Sequence, residues 1–173
     1  MTAPHAPPPE GLEGVVAART VLSEVDGQAG RLVIRGRSLD DLAGSTRFED
    51  LIILLFEGFF EDLPADLTAA LGEARAEVFA QAAYLDAGLA ALEPVEAVRA
   101  LMARLPDGDD LATALRLIAA PAVFTPAVVR VQAGQSPIAP DPALPHAADI
   151  LRMLTGQTPT AAQVAGLDAY LVT

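Results

Sequence analysis

The sequence predicts an all-α, multi-helical fold with one small β-hairpin near its N-terminus. Three observations carry that expectation. Apolar residues make up 52% of the 173 residues and aromatics only 5%; alanine and leucine dominate, which favours helices over a β-sandwich. From Ser38 onward, apolar residues recur at helical spacing between Gly, Pro, Ser, Thr and Asp punctuation. Only residues 12–37 carry a strand pattern.

Taken in order, residues 1–10 ("MTAPHAPPPE") are Pro-rich, without an apolar run or an arginine. That is neither a signal nor a transit peptide, and a mobile tail is expected. Two β-rich runs follow, Val15–Val25 and Arg31–Arg35, with Asp26-Gly27-Gln28-Ala29-Gly30 between them as the hairpin turn. A phosphate loop is the competing reading of these glycines. It requires Gly-Lys-Ser/Thr or G-x-G-x-x-G opening a helix, and here a strand follows.

Ser38 is positioned to cap a short helix, Leu39–Ala43, ended by Gly44. Ser45 or Thr46 should cap "RFEDLIILLFEG", with Glu49 completing a capping box and Gly58 closing the helix. Phe48, Leu51, Ile52, Leu55 and Phe56 form its buried face. Pro64 should open a longer helix to about Tyr84, and Pro94 another, "PVEAVRALMARL". The turn Pro106–Asp110 caps the next segment, "DLATALRLIAAPAVFTPAVVRVQAG". It is apolar on most sides, with a kink expected at Pro121. "QSPIAPDPALP" reads as a crossing loop, and His146–Leu154 as a helix stopped by Gly156. Thr158 or Thr160 caps the last helix, whose apolar face is Val164, Leu167, Leu171 and Val172. No Gly, Pro or basic residue closes it, so no stop signal marks its end.

Composition excludes several functions. The formal net charge is −12, and all eleven basic residues are arginines scattered singly. A nucleic-acid binder needs a basic stripe, and none is present. Without lysine there is no Schiff base and no P-loop lysine; without cysteine there is no thiolate nucleophile and no disulfide. The longest apolar runs, Leu51–Phe56 and Leu117–Val129, fall short of the roughly 20 residues of a membrane span. A soluble, cytoplasmic protein is expected.

Chemistry-bearing residues are sparse. His5 lies in the tail. His146 follows Pro145 at a helix start and reads as a terminal histidine bonded to a neighbouring carbonyl. Asp40-Asp41, Glu61-Asp62 and Asp107-Gly108-Asp109-Asp110 lack the D-x-D-x-D-G order of a calcium loop, and capping explains the last group. Ser23, Ser38, Ser45 and Ser136 stand in no G-x-S-x-G elbow. Arg99, Arg104, Arg116 and Arg130 read as ion-pair partners on solvated helix faces. No catalytic, substrate-binding or metal-ligating residue is assigned, and no cofactor is expected.

The order of these segments carries more than any one of them. "GLEGVVAARTVLSEVDGQAGRLVIRGRSLDDLA", then "FEDLIILLFEG", then the Pro-containing long helix with its Arg-x-x-x-Gly ending, then "HAADILRMLTG" and "LDAYL", stand in one series. From Gly11 to Thr173 the chain resembles the N-terminal half of citrate synthases of the short bacterial type. Three departures mark it as divergent. Ile34 stands where the family has Tyr, the Gly58–Pro64 turn is stretched, and Glu93-Pro94-Val95-Glu96 replaces His-Pro-Met-Asp.

The resemblance implies that residues 11–173 are part of a helical large domain. It implies an acyltransferase of the tricarboxylic acid cycle that condenses acetyl-CoA, as substrate, with oxaloacetate. It also implies a homodimer through helices 94–105 and 110–134. In the family, the Leu-Asp-x-Tyr-Leu helix runs into a histidine-rich segment that binds oxaloacetate. The second catalytic histidine, the aspartate and the carboxylate-binding arginines come later still. The expectation is a chain truncated before those segments, inactive alone, with the missing C-terminal half as a partner. The alternative is a non-catalytic dimerisation or interaction module that keeps the family's helices.

Overall fold

The computed structural model describes residues 19–173. The expected mobile tail, residues 1–10, and the first part of the expected hairpin, residues 12–18, lie outside the described residues. The small sheet has three antiparallel strands, β1 (Ser23–Asp26), β2 (Arg31–Ile34) and β3 (Arg37–Ser38), in the order β1-β2-β3. Ser23 pairs with Ile34 and Asp26 with Arg31. The turn forms as the Asp-Gly signal predicts: Asp26 Oδ1 accepts from the backbone N–H of Gln28 and Ala29, and Gly30 takes a φ of +62°. Among the described residues the first strand starts only at Ser23, later than expected, because Arg19–Leu22 lie outside the ladder.

The third strand was not expected. Arg35 and Gly36 both adopt positive φ, 49° and 80°, and Ile34 faces Arg37 across them. Two successive left-handed residues make the tight turn that suits the twist of a hairpin. Arginine is a poor sequence marker for it. Its strain is offset by two bonds: Nε donates to Leu54 O at 3.1 Å, and the guanidinium also donates to Glu57 O.

The helices are α1 (Leu39–Leu42), α2 (Phe48–Phe56), α3 (Leu67–Phe79), α4 (Ala87–Ala90), α5 (Pro94–Met102), α6 (Leu111–Gln132), α7 (His146–Thr155) and α8 (Ala161–Val172). Most caps follow the sequence. The Ser38 hydroxyl accepts from Asp41 N, Asp110 from Thr113 N, and Thr160 forms a capping box with Gln163. Gly44, Gly58 and Gly156 take positive φ after α1, α2 and α7.

Three boundaries differ from the reading. Asp66, not Pro64, starts α3, because its carboxylate can accept from Ala69 N. Beyond Phe79 that helix tightens into a 3-10 segment, Ala80–Tyr84, and Asp86 then caps the unforeseen α4. At α2 neither Ser45 nor Thr46 caps: the Ser45 hydroxyl donates back to Asp41 O at 2.6 Å, and Arg47 occupies the cap position, its guanidinium donating to Asp50 instead of capping the helix.

Helix α6 is the central element. It packs against α3, α5 and α7, its Val123, Phe124 and Val128 sharing one core with Leu71, Val78, Leu101 and Met153. It continues unbroken through Pro121 and Pro126. At 22 residues, with mean hydropathy 1.6 over its most apolar window, it is long and apolar enough for a membrane span, yet most of that window is packed inside the fold. The sequence expectation underestimated it by counting only an uninterrupted apolar run. A second, smaller cluster joins Leu42, Leu51 and Val172. The Pro-rich loop crosses α3 at Gly72, where a Cβ would meet Pro142 O at 2.1 Å.

Candidate functional site

Charge is rare inside this chain, so a buried charge marks the place to look. Arg75, in the middle of α3, is fully buried, as is Asp149 on α7. Arg75 Nε donates to Asp149 Oδ2 at 2.9 Å, and Nη2 to Leu144 O at 2.7 Å and Asp141 O at 3.3 Å. Asp149 accepts further bonds from Arg152 Nη2 at 2.7 Å and from the backbone N–H of Asp141 at 3.1 Å. Arg152 in turn donates to Ala139 O at 2.6 Å. The cluster stitches α3, α7 and the Pro-rich loop together.

His146 completes it on the side of α2. Its Nδ1 lies 3.2 Å from Arg75 Nη1, its ring stacks on Phe48 at 4.9 Å, and its backbone N–H donates to Glu49 Oε1 at 2.7 Å. This corrects the sequence reading of a histidine bonded to a nearby carbonyl. Its partner is a guanidinium from a helix 71 residues away in the chain. Arg75 can only donate, so Nδ1 accepts and the ring is neutral with its proton on Nε2. Burial, with the Arg75 charge second, lowers its pKa to about 3. A histidine held neutral and sealed from solvent makes no proton shuttle at neutral pH. Glu49, expected in a capping box, is instead buried beneath α7, and its Oε2 has no partner among the described residues.

The remaining candidates are local. Asp110 caps α6, and its bonds to Thr113 hold its carboxyl below the usual range. Asp41 accepts from the Ser38 hydroxyl at 2.6 Å. Arg116 pairs with Glu77 at 3.0 Å, as expected. Arg130 and Arg104 do otherwise. Arg130 donates to Ser136 O and Leu154 O, and Arg104 lies over the Tyr84 ring at 3.8 Å. Among the described residues no group of three or more His, Asp and Glu side chains is placed to hold a metal ion.

Two features surround α8. Asp168 Oδ1 accepts from Phe48 N at 3.2 Å, so the start of α2 is capped from a helix 120 residues later. Partial burial raises the Asp168 pKa against that bond. Between α7 and α8 lies an open cleft of about 600 Å³, walled by Leu144, Pro145, Ala148, Val164 and Ala165 with Asp168 at its edge. Sequence reasoning passed over Arg75, Asp149 and Asp168. The one signal available was the spacing His146, Asp149, Arg152, which sets all three on one side of a helix.

A small antiparallel sheet leading into helices wrapped around one buried central helix defines an all-α protein with a polar hub where α2, α3 and α7 meet. Residues 11–173 match the family model described as "Citrate synthase, C-terminal domain". The chain is 33% identical to the citrate synthase of Acidithiobacillus ferridurans, over 94% of its own length and 46% of that protein's. It is 31% identical to the 2-methylcitrate synthase of Mycobacterium tuberculosis, over 94% and 44%. The crystal structure of citrate synthase from Thermotoga maritima superposes with a TM-score of 0.75 at 22% identity, over 94% of this chain and 45% of that one. The chain belongs to the citrate synthase family, and it spans about half the length of the curated relatives it matches.

Proposed function

We propose that this chain is the N-terminal half of a citrate synthase-type C-acyltransferase, which condenses an acyl-CoA with oxaloacetate. The observation that carries the reading is the pairing of near-complete coverage of this chain with half coverage of its relatives. The state of α8 supports it: the helix is apolar, yet Val172 alone among its residues is buried. The polar hub has a structural part in this reading. It holds α7 and the Pro-rich loop on α3 and so sets the base from which α8 departs.

The chemistry itself needs a carboxylate base for the CoA-ester methyl, a neutral histidine for the enol, a second histidine for the oxaloacetate carbonyl, and arginines for its carboxylates. His146 meets the second description only in being neutral; it is sealed behind Phe48 and Arg75. The rest of the polypeptide supplies those groups. The test joins this chain to the portion of the Acidithiobacillus ferridurans enzyme that it does not match. Oxaloacetate-dependent CoA release, followed as free thiol with acetyl-CoA and with propionyl-CoA, is expected from the joined protein. A folded joined protein that releases no CoA overturns the reading.

A homodimer through α5 and α6 belongs to the same proposal. Leu117, Pro121, Thr125 and Val129 form an exposed stripe at four-residue spacing along α6, and Val95 is exposed on α5. Ala119 and Val123, on the same helix, are 0% and 1% exposed within this chain's own core. A charge there unfolds the chain, so Leu117→Glu and Val129→Glu are the informative variants, and each should sediment as monomer. The same stripe favours a second reading, a non-catalytic dimerisation module, because its exposed residues all lie within this chain. The mass of the polypeptide in its native cells, set against the length of its gene, separates the two.

A further inference from the structure

The turn between β2 and β3 is tied to the last turn of α2. Arg35 Nε donates to Leu54 O at 3.1 Å, and its guanidinium also donates to Glu57 O. This clamp holds the sheet beside the helix, and a hollow of about 370 Å³ lies between them. Arg37 of β3, Ser45, Thr46 and one face of α2 line it. On that face stand Asp50, Ile53 and Glu57, at spacings of three and four residues. At 1.5 Å per residue, the two acids are about 10 Å apart along the helix.

Some of the lining groups are already engaged. Both Asp50 oxygens accept from Arg47, at 3.1 and 2.9 Å, and the Ser45 hydroxyl donates to Asp41 O. Others are not. Among the described residues the Arg37 guanidinium, the Thr46 hydroxyl and the Glu57 carboxylate have no hydrogen-bond or ion-pair partner. With 23 acids to 11 arginines, an arginine here readily finds a carboxylate, as Arg31, Arg47, Arg116 and Arg152 do. Arg37 and Glu57 line the same hollow without reaching each other. Between the acids of α2 lies Ile53, 40% exposed, an apolar floor.

This set of groups discriminates by charge. A lone anion meets Arg37 but is repelled by Glu57; a lone cation meets Glu57 but is repelled by Arg37. A divalent metal ion needs several oxygen ligands, and Asp50 is held by Arg47. Ligand pockets span roughly 300–1,000 Å³, so this hollow suits one small molecule at the lower end of that range.

We infer that the hollow between β3 and α2 binds a free α-amino acid with an aliphatic side chain, its carboxylate on Arg37 and the Thr46 hydroxyl, its ammonium on Glu57 and its side chain on Ile53. Both ionic contacts are charge-assisted, and the zwitterion leaves neither protein charge uncompensated. The inference is independent of the acyltransferase reading, because every group it uses lies between Arg37 and Glu57 of this chain.

The test is a titration of the ¹⁵N-labelled 173-residue chain with L-leucine, followed by amide chemical shifts. The amides of Arg37, Thr46, Ile53 and Glu57 should shift saturably, with a Kd of about 1 mM or tighter. Two half-probes check the charge argument: isovalerate lacks the ammonium and isoamylamine lacks the carboxylate. Each should bind about tenfold or more weakly than L-leucine. Arg37→Gln and Glu57→Gln should each weaken L-leucine binding by a similar factor, while Glu93→Gln, on the distant α5, leaves it unchanged. Isothermal titration of L-leucine into the joined protein described above should give the same constant as the chain alone. The inference is overturned by the absence of saturable shifts at about 10 mM L-leucine, by shifts confined to other residues, or by a half-probe that binds as tightly as L-leucine. Wild-type affinity in both Arg37→Gln and Glu57→Gln, or no binding by the joined protein, overturns it as well.

Discussion

Removing the Asp149 carboxylate is the sharpest perturbation of the buried hub, and its size can be worked from the bonds. Asp149→Ala takes away the partner of Arg75 Nε and the acceptor for Asp141 N. Arg75 is fully buried and cannot turn to water; Arg152, whose side chain is 24% exposed, can. Breaking a buried pair from one side costs about 3–5 kcal/mol, because the remaining charge is left without compensation. The bonds from Arg75 to Leu144 O and Asp141 O relieve part of that cost, and the orphaned Asp141 N–H adds to it. A loss of about 3–4 kcal/mol is expected, a large share of the roughly 5–15 kcal/mol that holds a domain together. Arg152→Ala, which leaves the Arg75–Asp149 pair in place, should cost only about 1 kcal/mol. Urea unfolding followed by circular dichroism measures both. If Asp149→Ala shifts stability by no more than Arg152→Ala does, the hub does not hold the fold and the reasoning fails.

Other expectations follow from single contacts. Asp168→Ala strips the start of α2 of the side chain that caps it and should cost about 1 kcal/mol, whereas Asp168→Asn, which can still accept from Phe48 N, should cost less than half of that. Gly72→Ala drives a Cβ into the Pro142 carbonyl, so the Pro-rich loop must lift; thermal unfolding should drop by several degrees, and unchanged stability would contradict the close approach. His146 contributes through its protonation. Its folded pKa lies near 3, below the ordinary 6.5, so its contribution is complete above about pH 6.5 and is lost as pH falls toward 3, amounting to roughly 5 kcal/mol at most. Against His146→Gln, the wild-type advantage should shrink between about pH 7 and pH 4, and a constant difference would exclude a neutral buried ring. Amides of α8 should exchange before those of α6, because only Val172 of the terminal helix is buried.

Local signals were legible where the chemistry is local. The Asp26–Gly30 turn, the Ser38, Asp110 and Thr160 caps and the Gly156 stop each involve residues within five positions of one another, and each stands where the sequence placed it. What failed involved a partner far along the chain. Glu49 looks like a capping-box residue until His146, 97 residues later, takes its carboxylate. Thr46 looks like the cap of α2 until Asp168 reaches Phe48 N from α8. Arg75 sits in an alanine-rich stretch with Glu73 and Glu77 beside it and reads as a solvated residue; its burial follows from the loop that Gly72 lets cross above it. The Arg35-Gly36 turn was missed for a different reason: arginine adopts positive φ only where other bonds compensate.

The central claim is that this chain holds the framework of a citrate synthase-type enzyme and that the reacting groups lie elsewhere in the polypeptide. The direct measurement is oxaloacetate-dependent release of CoA by the pure 173-residue chain, read as free thiol against a protein that itself contains none. The account predicts no release above the rate without protein, from acetyl-CoA or from propionyl-CoA, at concentrations where the chain is folded. Sustained turnover that requires oxaloacetate and is abolished by His146→Gln would contradict it, and would place the chemistry at the hub that is here assigned to holding the fold.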